Sequence, residues 1–148
     1  MKTPWILAAL GSLWLSPAEA LSLTELHRSM RLFEGRDYVG VEVHRPDASP
    51  VLVSWYRDPR MTETVCRSLS GLYGVGGIRA CSGFHSMIIA SVGASEDTMD
   101  HEWCHIYGWA GDHPEQKPAV CETKPWRSFP GAMSAPAGWG IGASHGCP

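Results

Sequence analysis

The chain has no cationic excess: 12 Lys+Arg stand against 15 Asp+Glu, for a formal net charge of -3. Neutralising a phosphate backbone or adhering to anionic lipid needs the opposite balance, so neither nucleic acid nor a membrane surface is an expected partner. Beyond the first twenty residues nothing approaches the ~20 consecutive apolar residues that a bilayer span requires, so no stable membrane anchor is expected. There is no C-x-x-C pair, which argues against a four-cysteine zinc ribbon. No lysine follows Gly71, Gly74, Gly76 and Gly77 at the spacing of a phosphate-binding loop. Internal repeats are also absent, and 148 residues suit one domain.

What is there begins with an export address. Lys2 precedes an almost wholly apolar run from Trp5 to Leu15, and Ala18-Glu19-Ala20 is a small-x-small cleavage site. Residues 1–20 therefore read as a signal peptide, with a mature protein starting at Leu21 that is periplasmic or secreted. No Cys follows the cleavage site, so a lipoprotein anchor is not expected.

Five cysteines follow, Cys66, Cys81, Cys104, Cys121 and Cys147, and an oxidising compartment favours disulfides. Two bridges and one free thiol can be drawn in about fifteen ways. The preferred pairing joins Cys66 to Cys81 across a short helix-to-strand connection and Cys121 to Cys147 to tether the tail, leaving Cys104 buried and unpaired.

Ser22 with Glu25 forms a capping box ahead of Leu23, Leu26, Met30 and Phe33, which predicts a helix closed by Gly35. Tyr38 to His44 and Val51 to Tyr56 are β-branched or aromatic runs around a Pro46–Pro50 turn, a predicted hairpin. Asp58-Pro59 opens a second helix marked by Met61, Val65, Leu69 and Leu72. Ile78 to Ser82 and Ser86 to Val92 are expected strands, the latter so apolar that it suits either a buried centre or an edge that an extended peptide could join. Ser95 to Tyr107, acidic at its start and closed by Gly108, is a third helix. The expected fold is a small single α+β domain over residues 21–114 with a mainly antiparallel sheet. Residues 115–148, rich in Pro and Gly, are expected to form an irregular tail.

Chemistry concentrates in His101-Glu102-Trp103-Cys104-His105, followed by Gly108, Trp109, Asp112 and His113. Helix positions four apart lie one above the other, so the imidazoles of His101 and His105 can share a metal ion. Glu102 sits about 100° round from His101 and can reach a water on that ion. A catalytic zinc takes three protein ligands and one water. Gly108 lets the chain turn back, and His113 is the nearest imidazole on the return, with Asp112 as the alternative ligand or an acceptor that orients an imidazole. Tyr107 and Trp109 can wall a cleft. A chance H-E-x-x-H in a chain of this composition has a probability of ~0.02, so its coincidence with a predicted helix and a closing glycine carries weight. By contrast, Gly142-Ala143-Ser144-His145-Gly146 matches G-x-S-x-G but lacks the strand before and helix after that a nucleophile elbow needs. His27 and His44 receive no role; His85 and His145 are candidate oxyanion partners.

The pattern His101, Glu102, His105, Gly108 resembles the zincin metallopeptidases. It departs from the metzincin branch, whose third His falls where this chain has Gly111. More closely, Cys66, Cys81, Ile88, Ile89, His101, Glu102, His105, Gly108, Trp109, His113 and Pro114 are similar to small exported bacterial proteins with an H-E-x-x-H-x-x-G-W-x-x-x-H-P core. That resemblance implies a zincin-like active-site helix, Zn2+ on His101, His105 and His113, and Glu102 as general base in hydrolysis of a peptide or protein substrate. It names no substrate. The alternatives are a non-catalytic zinc-binding or envelope assembly protein, and a disulfide-stabilised interaction protein without metal.

Overall fold

A computed structural model describes residues 37–70, 76–83, 86–113 and 116–138. The expected signal peptide, the helix expected over Ser22–Gly35, His27, His85, Cys147 and the Gly142–Gly146 motif lie outside the described residues.

Strands β1 (Tyr38–Val43) and β2 (Val51–Tyr56) form the expected antiparallel hairpin, with Tyr38 opposite Tyr56 and Val43 opposite Val51. Helix α1 (Pro59–Ser70) follows. Asp58 caps it by accepting from the Arg60 amide at 2.9 Å, and Pro59 occupies a position whose amide needs no partner. Strands β3 (Ala80–Gly83) and β4 (Met87–Ser91) pair antiparallel, and α2 (Glu96–Ile106) completes the main elements.

The sheet order is β1-β2-β4-β3. The two outer pairings are antiparallel, while β2 and β4 run parallel, so the small α+β domain has a mixed sheet. The connection through α1 carries the chain past β2 to β3, which runs opposite to β2, and the reversal from β3 into β4 then sets β4 beside β2 in the same direction. Strand β4 is thus interior and wholly buried, the buried-centre alternative of the two that its apolar run allows. The edge beside α2 belongs to β3, which pairs only with β4 among the described residues.

Because side chains alternate along a strand, β2 and β4 feed two cores. Leu52, Tyr56, Met87 and Ile89 face α1, where Val65 and Cys66 close the layer. Val51, Val53, Trp55, Ile88 and Ala90 face α2 and meet Met99, Trp103 and Ile106. A strand with both faces covered favours apolar residues at successive positions, which explains the unbroken run Met87-Ile88-Ile89-Ala90.

The segment expected to be an irregular tail contributes to the second core. It holds α3 (Val120–Thr123) and a 3-10 turn (Pro125–Ser128), with Cys121, Trp126 and Ala132 buried. Trp126 stacks parallel to Trp103 at 6.2 Å between ring centroids, and its indole N–H donates to Asp100 at 2.8 Å. Trp103 donates to the Ala132 carbonyl at 2.9 Å. Both indole donors are therefore satisfied, and a short-range pattern search cannot see such packing because it depends on a partner helix far away in sequence.

Cysteine pairing follows the same geometry. Cys66 on α1 bonds Cys81 on β3, as expected, with Cα atoms 5.8 Å apart. Cys104 is not a free thiol: it pairs with Cys121, Cα atoms 5.4 Å apart, because α3 packs back onto α2. Cys121 is accordingly not the partner of Cys147.

Candidate metal centre

Helix α2 begins at Ser95, whose hydroxyl accepts from the Thr98 amide at 3.2 Å, with Glu96 and Asp97 in the first turn where the helix dipole favours negative charge. Met99, Trp103 and Ile106 turn into the core, which leaves His101 and His105 half-buried on an adjoining face. Gly108 ends the helix at φ 101°, a left-handed conformation open to glycine at no steric cost. The Trp109 amide then donates back to the Cys104 carbonyl at 3.0 Å, turning the chain under the helix end. A further turn, His113 amide to Ala110 carbonyl at 3.1 Å, brings His113 round with its own φ at 53°. Positive φ in a residue with a side chain costs on the order of 1 kcal/mol and is tolerated when a local arrangement demands it.

Here that arrangement is a triangle of ring nitrogens. Nε2 of His105 lies 3.2 Å from Nε2 of His101 and 3.2 Å from Nε2 of His113, and the last two are 3.1 Å apart. Tetrahedral zinc with Zn–N bonds of about 2.0–2.1 Å places its nitrogens roughly 3.3 Å apart, so the triangle fits such an ion. The donor chemistry agrees. His105 Nδ1 lies 2.8 Å from the Trp109 carbonyl, which can only accept. In the neutral ring this contact places the proton on Nδ1 and leaves the Nε2 lone pair facing the other two rings. One proton cannot bridge three mutually adjacent nitrogens, whereas one cation can. The group His101, His105 and His113 could hold a metal ion.

Trp109 forms the wall of the centre. Its ring is nearly parallel to His105 at 5.0 Å and contacts His101 at 5.2 Å and His113 at 4.8 Å. Lys117 sets its ammonium over the same indole, 4.7 Å from the centroid. Burial, followed by the electrostatic influence of the neighbouring His105, His113 and Lys117, lowers the His101 pKa to about 4, which keeps the ring neutral at physiological pH.

Glu102 is buried, 8% exposed, against the sheet rather than open to solvent. It accepts from the Ser82 hydroxyl of β3 at 2.8 Å. Burial raises its pKa, opposed by hydrogen bonds from the Ser82 side chain and backbone and by His105. Asp112 is exposed and does not join the imidazole group. Tyr107 does not wall the centre: its ring packs on Trp126 at 5.5 Å and lies under the Arg45 guanidinium at 4.9 Å. His44 is exposed, 3.8 Å from Glu42, and away from the cluster.

Sequence reasoning missed Asp100. Read only as an acid near a helix start, it is buried and accepts from Lys124 at 2.7 Å, Trp126 at 2.8 Å and Arg127 at 2.6 Å. Burial alone would raise its pKa; the hydrogen bonds from Arg127, Lys124 and Trp126 outweigh that and hold it well below the usual carboxylate range. Asp100 thus clamps the C-terminal segment to the helix that carries His101. Ser82 and Lys117 also went unnoticed, since neither has a local sequence signature.

Comparison of the chain with protein-family models, characterised proteins and solved structures returns no match. Among the described residues no helix is long and apolar enough to cross a membrane.

Proposed function

We propose that this protein is an exported zinc-dependent peptidase of the zincin type, acting on a peptide or protein in the cell envelope. The observation that carries this reading is the convergence of three imidazole Nε2 atoms at 3.1–3.2 Å. Three histidines with no fourth ligand among the described residues match the donor set of a hydrolytic rather than a structural zinc. When bound there, zinc supplies an acidified water and a Lewis acid for a carbonyl. The chain's own residues do the rest. Glu102, next to His101 on the helix, takes the proton from the attacking water on its carboxylate and returns it to the leaving amine. Ser82 orients that carboxylate from β3. The Trp109 carbonyl and indole hold the imidazoles in place. The edge of β3, beside α2, offers backbone groups to an extended peptide. Two cysteine pairs are compatible with an oxidising, exported location.

One observation favours a second reading, a non-catalytic zinc protein: Glu102 is buried and bonded to the sheet, as a purely structural carboxylate would be. Glu102→Gln separates the two. The amide oxygen still accepts from Ser82, so metal content should stay at one zinc per chain. Cleavage of a peptide library by the zinc-loaded protein should fall by at least ~100-fold, the scale of a lost general base. A wild type that binds zinc yet cleaves nothing in that library favours the structural reading, and a protein that takes up no zinc removes both.

A further inference from the structure

We propose that Lys117 recognises a carboxylate on the molecule bound at the three-histidine centre, which makes the preferred ligands peptides with a negative charge close to the group presented to the metal. This deepens the peptidase reading and rests on it. The Lys117 ammonium stands 4.7 Å over Trp109, and the same indole touches all three imidazoles at 4.8–5.2 Å. A single aromatic ring therefore links a fixed positive charge to the metal ligands. Three other cations have carboxylate partners, Arg67 with Glu63 and Lys124 and Arg127 with Asp100, and none of these stands over the indole that walls the centre. Lys117 makes no ion pair with a described residue, and its side chain is exposed.

Electrostatics then selects the ligand. A divalent cation on the histidines and an ammonium one ring away repel each other, and a neutral ligand leaves that repulsion in place. A carboxylate between them is attracted by both. The indole face limits where the ammonium goes without supplying a counter-charge, so the lysine is preorganised and remains available. The free α-carboxylate of a peptide's last residue lies only a few bonds from the preceding carbonyl, and an acidic side chain next to that carbonyl offers the same group.

The test uses the zinc-loaded full chain and three thiol probes whose sulfur occupies the open metal position: mercaptoacetyl-alanine, its uncharged amide, and the α-amide of mercaptoacetyl-aspartate. Isothermal titration calorimetry should show mercaptoacetyl-alanine binding about tenfold or more tighter than its amide, the scale of one charge-assisted contact. The ratio should collapse to about one in Lys117→Ala and return in Lys117→Arg, with zinc affinity not reduced in either variant. Tight binding of the aspartate probe would assign the carboxylate to a side chain; tight binding of mercaptoacetyl-alanine alone would assign it to a chain end. Equal binding of acid and amide to the wild type, or a preference that survives in Lys117→Ala, overturns the role of Lys117 and leaves the metal reading standing. If no thiol binds the zinc-loaded wild type, both fail together.

Discussion

The His113 ring reaches back across 12 residues to put its Nε2 3.1 Å from that of His101. Two left-handed residues, Gly108 and His113, make this return possible in so short a loop. The triangle it completes is the basis of a first prediction. Replacing His101, His105 or His113 by Ala should each weaken zinc binding by at least ~100-fold, more than loss of an outer-shell partner, whereas Asp112→Ala should leave it unchanged. Competition with a chromophoric chelator measures this. A zinc affinity that depends on Asp112 and not on His113 would transfer the ligand assignment.

Asp100 couples α2 to the C-terminal segment, and Asp100→Ala should destabilise the fold by about 2–3 kcal/mol. That is less than for a fully buried pair, because Lys124 and Arg127 stay partly hydrated. The pH dependence has a definite sign. The Asp100 carboxyl titrates lower in the folded chain than in the unfolded one, so its contribution is complete above the ordinary aspartate value of 3.8 and is lost as the pH falls through the folded value. Urea denaturation of wild type and variant should give curves well separated at pH 7 that converge in strong acid. A separation that grows on acidification would contradict this.

The Cys104–Cys121 bridge closes the loop that carries His105, Trp109, His113 and Lys117, with a sequence separation of 17. Opening a loop of that size releases roughly 3 kcal/mol of closure entropy. Cys104→Ser/Cys121→Ser should therefore weaken zinc affinity about tenfold or more, because the third ligand must then be ordered by the metal itself. Cys66→Ser/Cys81→Ser should lower thermal stability while leaving zinc affinity intact, since that bridge joins α1 to the opposite face of the sheet. Equal zinc affinities in the two double variants would refute the distinction.

Gly40 on β1 leaves room for a partner side chain. A Cβ there would sit 2.6 Å from the Tyr38 hydroxyl oxygen and 3.3 Å from Leu52 Cδ1. The Tyr38 hydroxyl lies 3.2 Å from Ser54 Oγ in the core, so it cannot withdraw without cost. Gly40→Ala should destabilise by about 1–3 kcal/mol, the range for overpacking, as read from the denaturation midpoint. A neutral result would mean that the strand yields more easily than its packing implies.

Strand and helix positions were legible wherever local chemistry dominates. The hairpin, the Asp58-Pro59 start of α1, the Ser95 cap of α2 and the Gly108 stop all depend on neighbours within a few residues. The pairing His101/His105 was legible for the same reason, since helical spacing alone stacks the rings. His113 was preferred to Asp112 as the nearest imidazole after Gly108, and the turn at Ala110 is what brings its ring to the other two.

By itself, then, the amino-acid order determined the elements from Tyr38 to Ile106, the two helical imidazoles and the Cys66–Cys81 bridge. Tertiary structure alone decided the parallel alignment of β2 with β4, the interior place of β4, the Cys104–Cys121 pair, and the convergence of Asp100 with Lys124, Trp126 and Arg127. The physical reason is range. Caps, turns and helical periodicity act over one to four residues and leave a mark in the sequence, while strand order, disulfide partners and buried ion clusters are set by which surfaces meet when the whole chain collapses around the sheet.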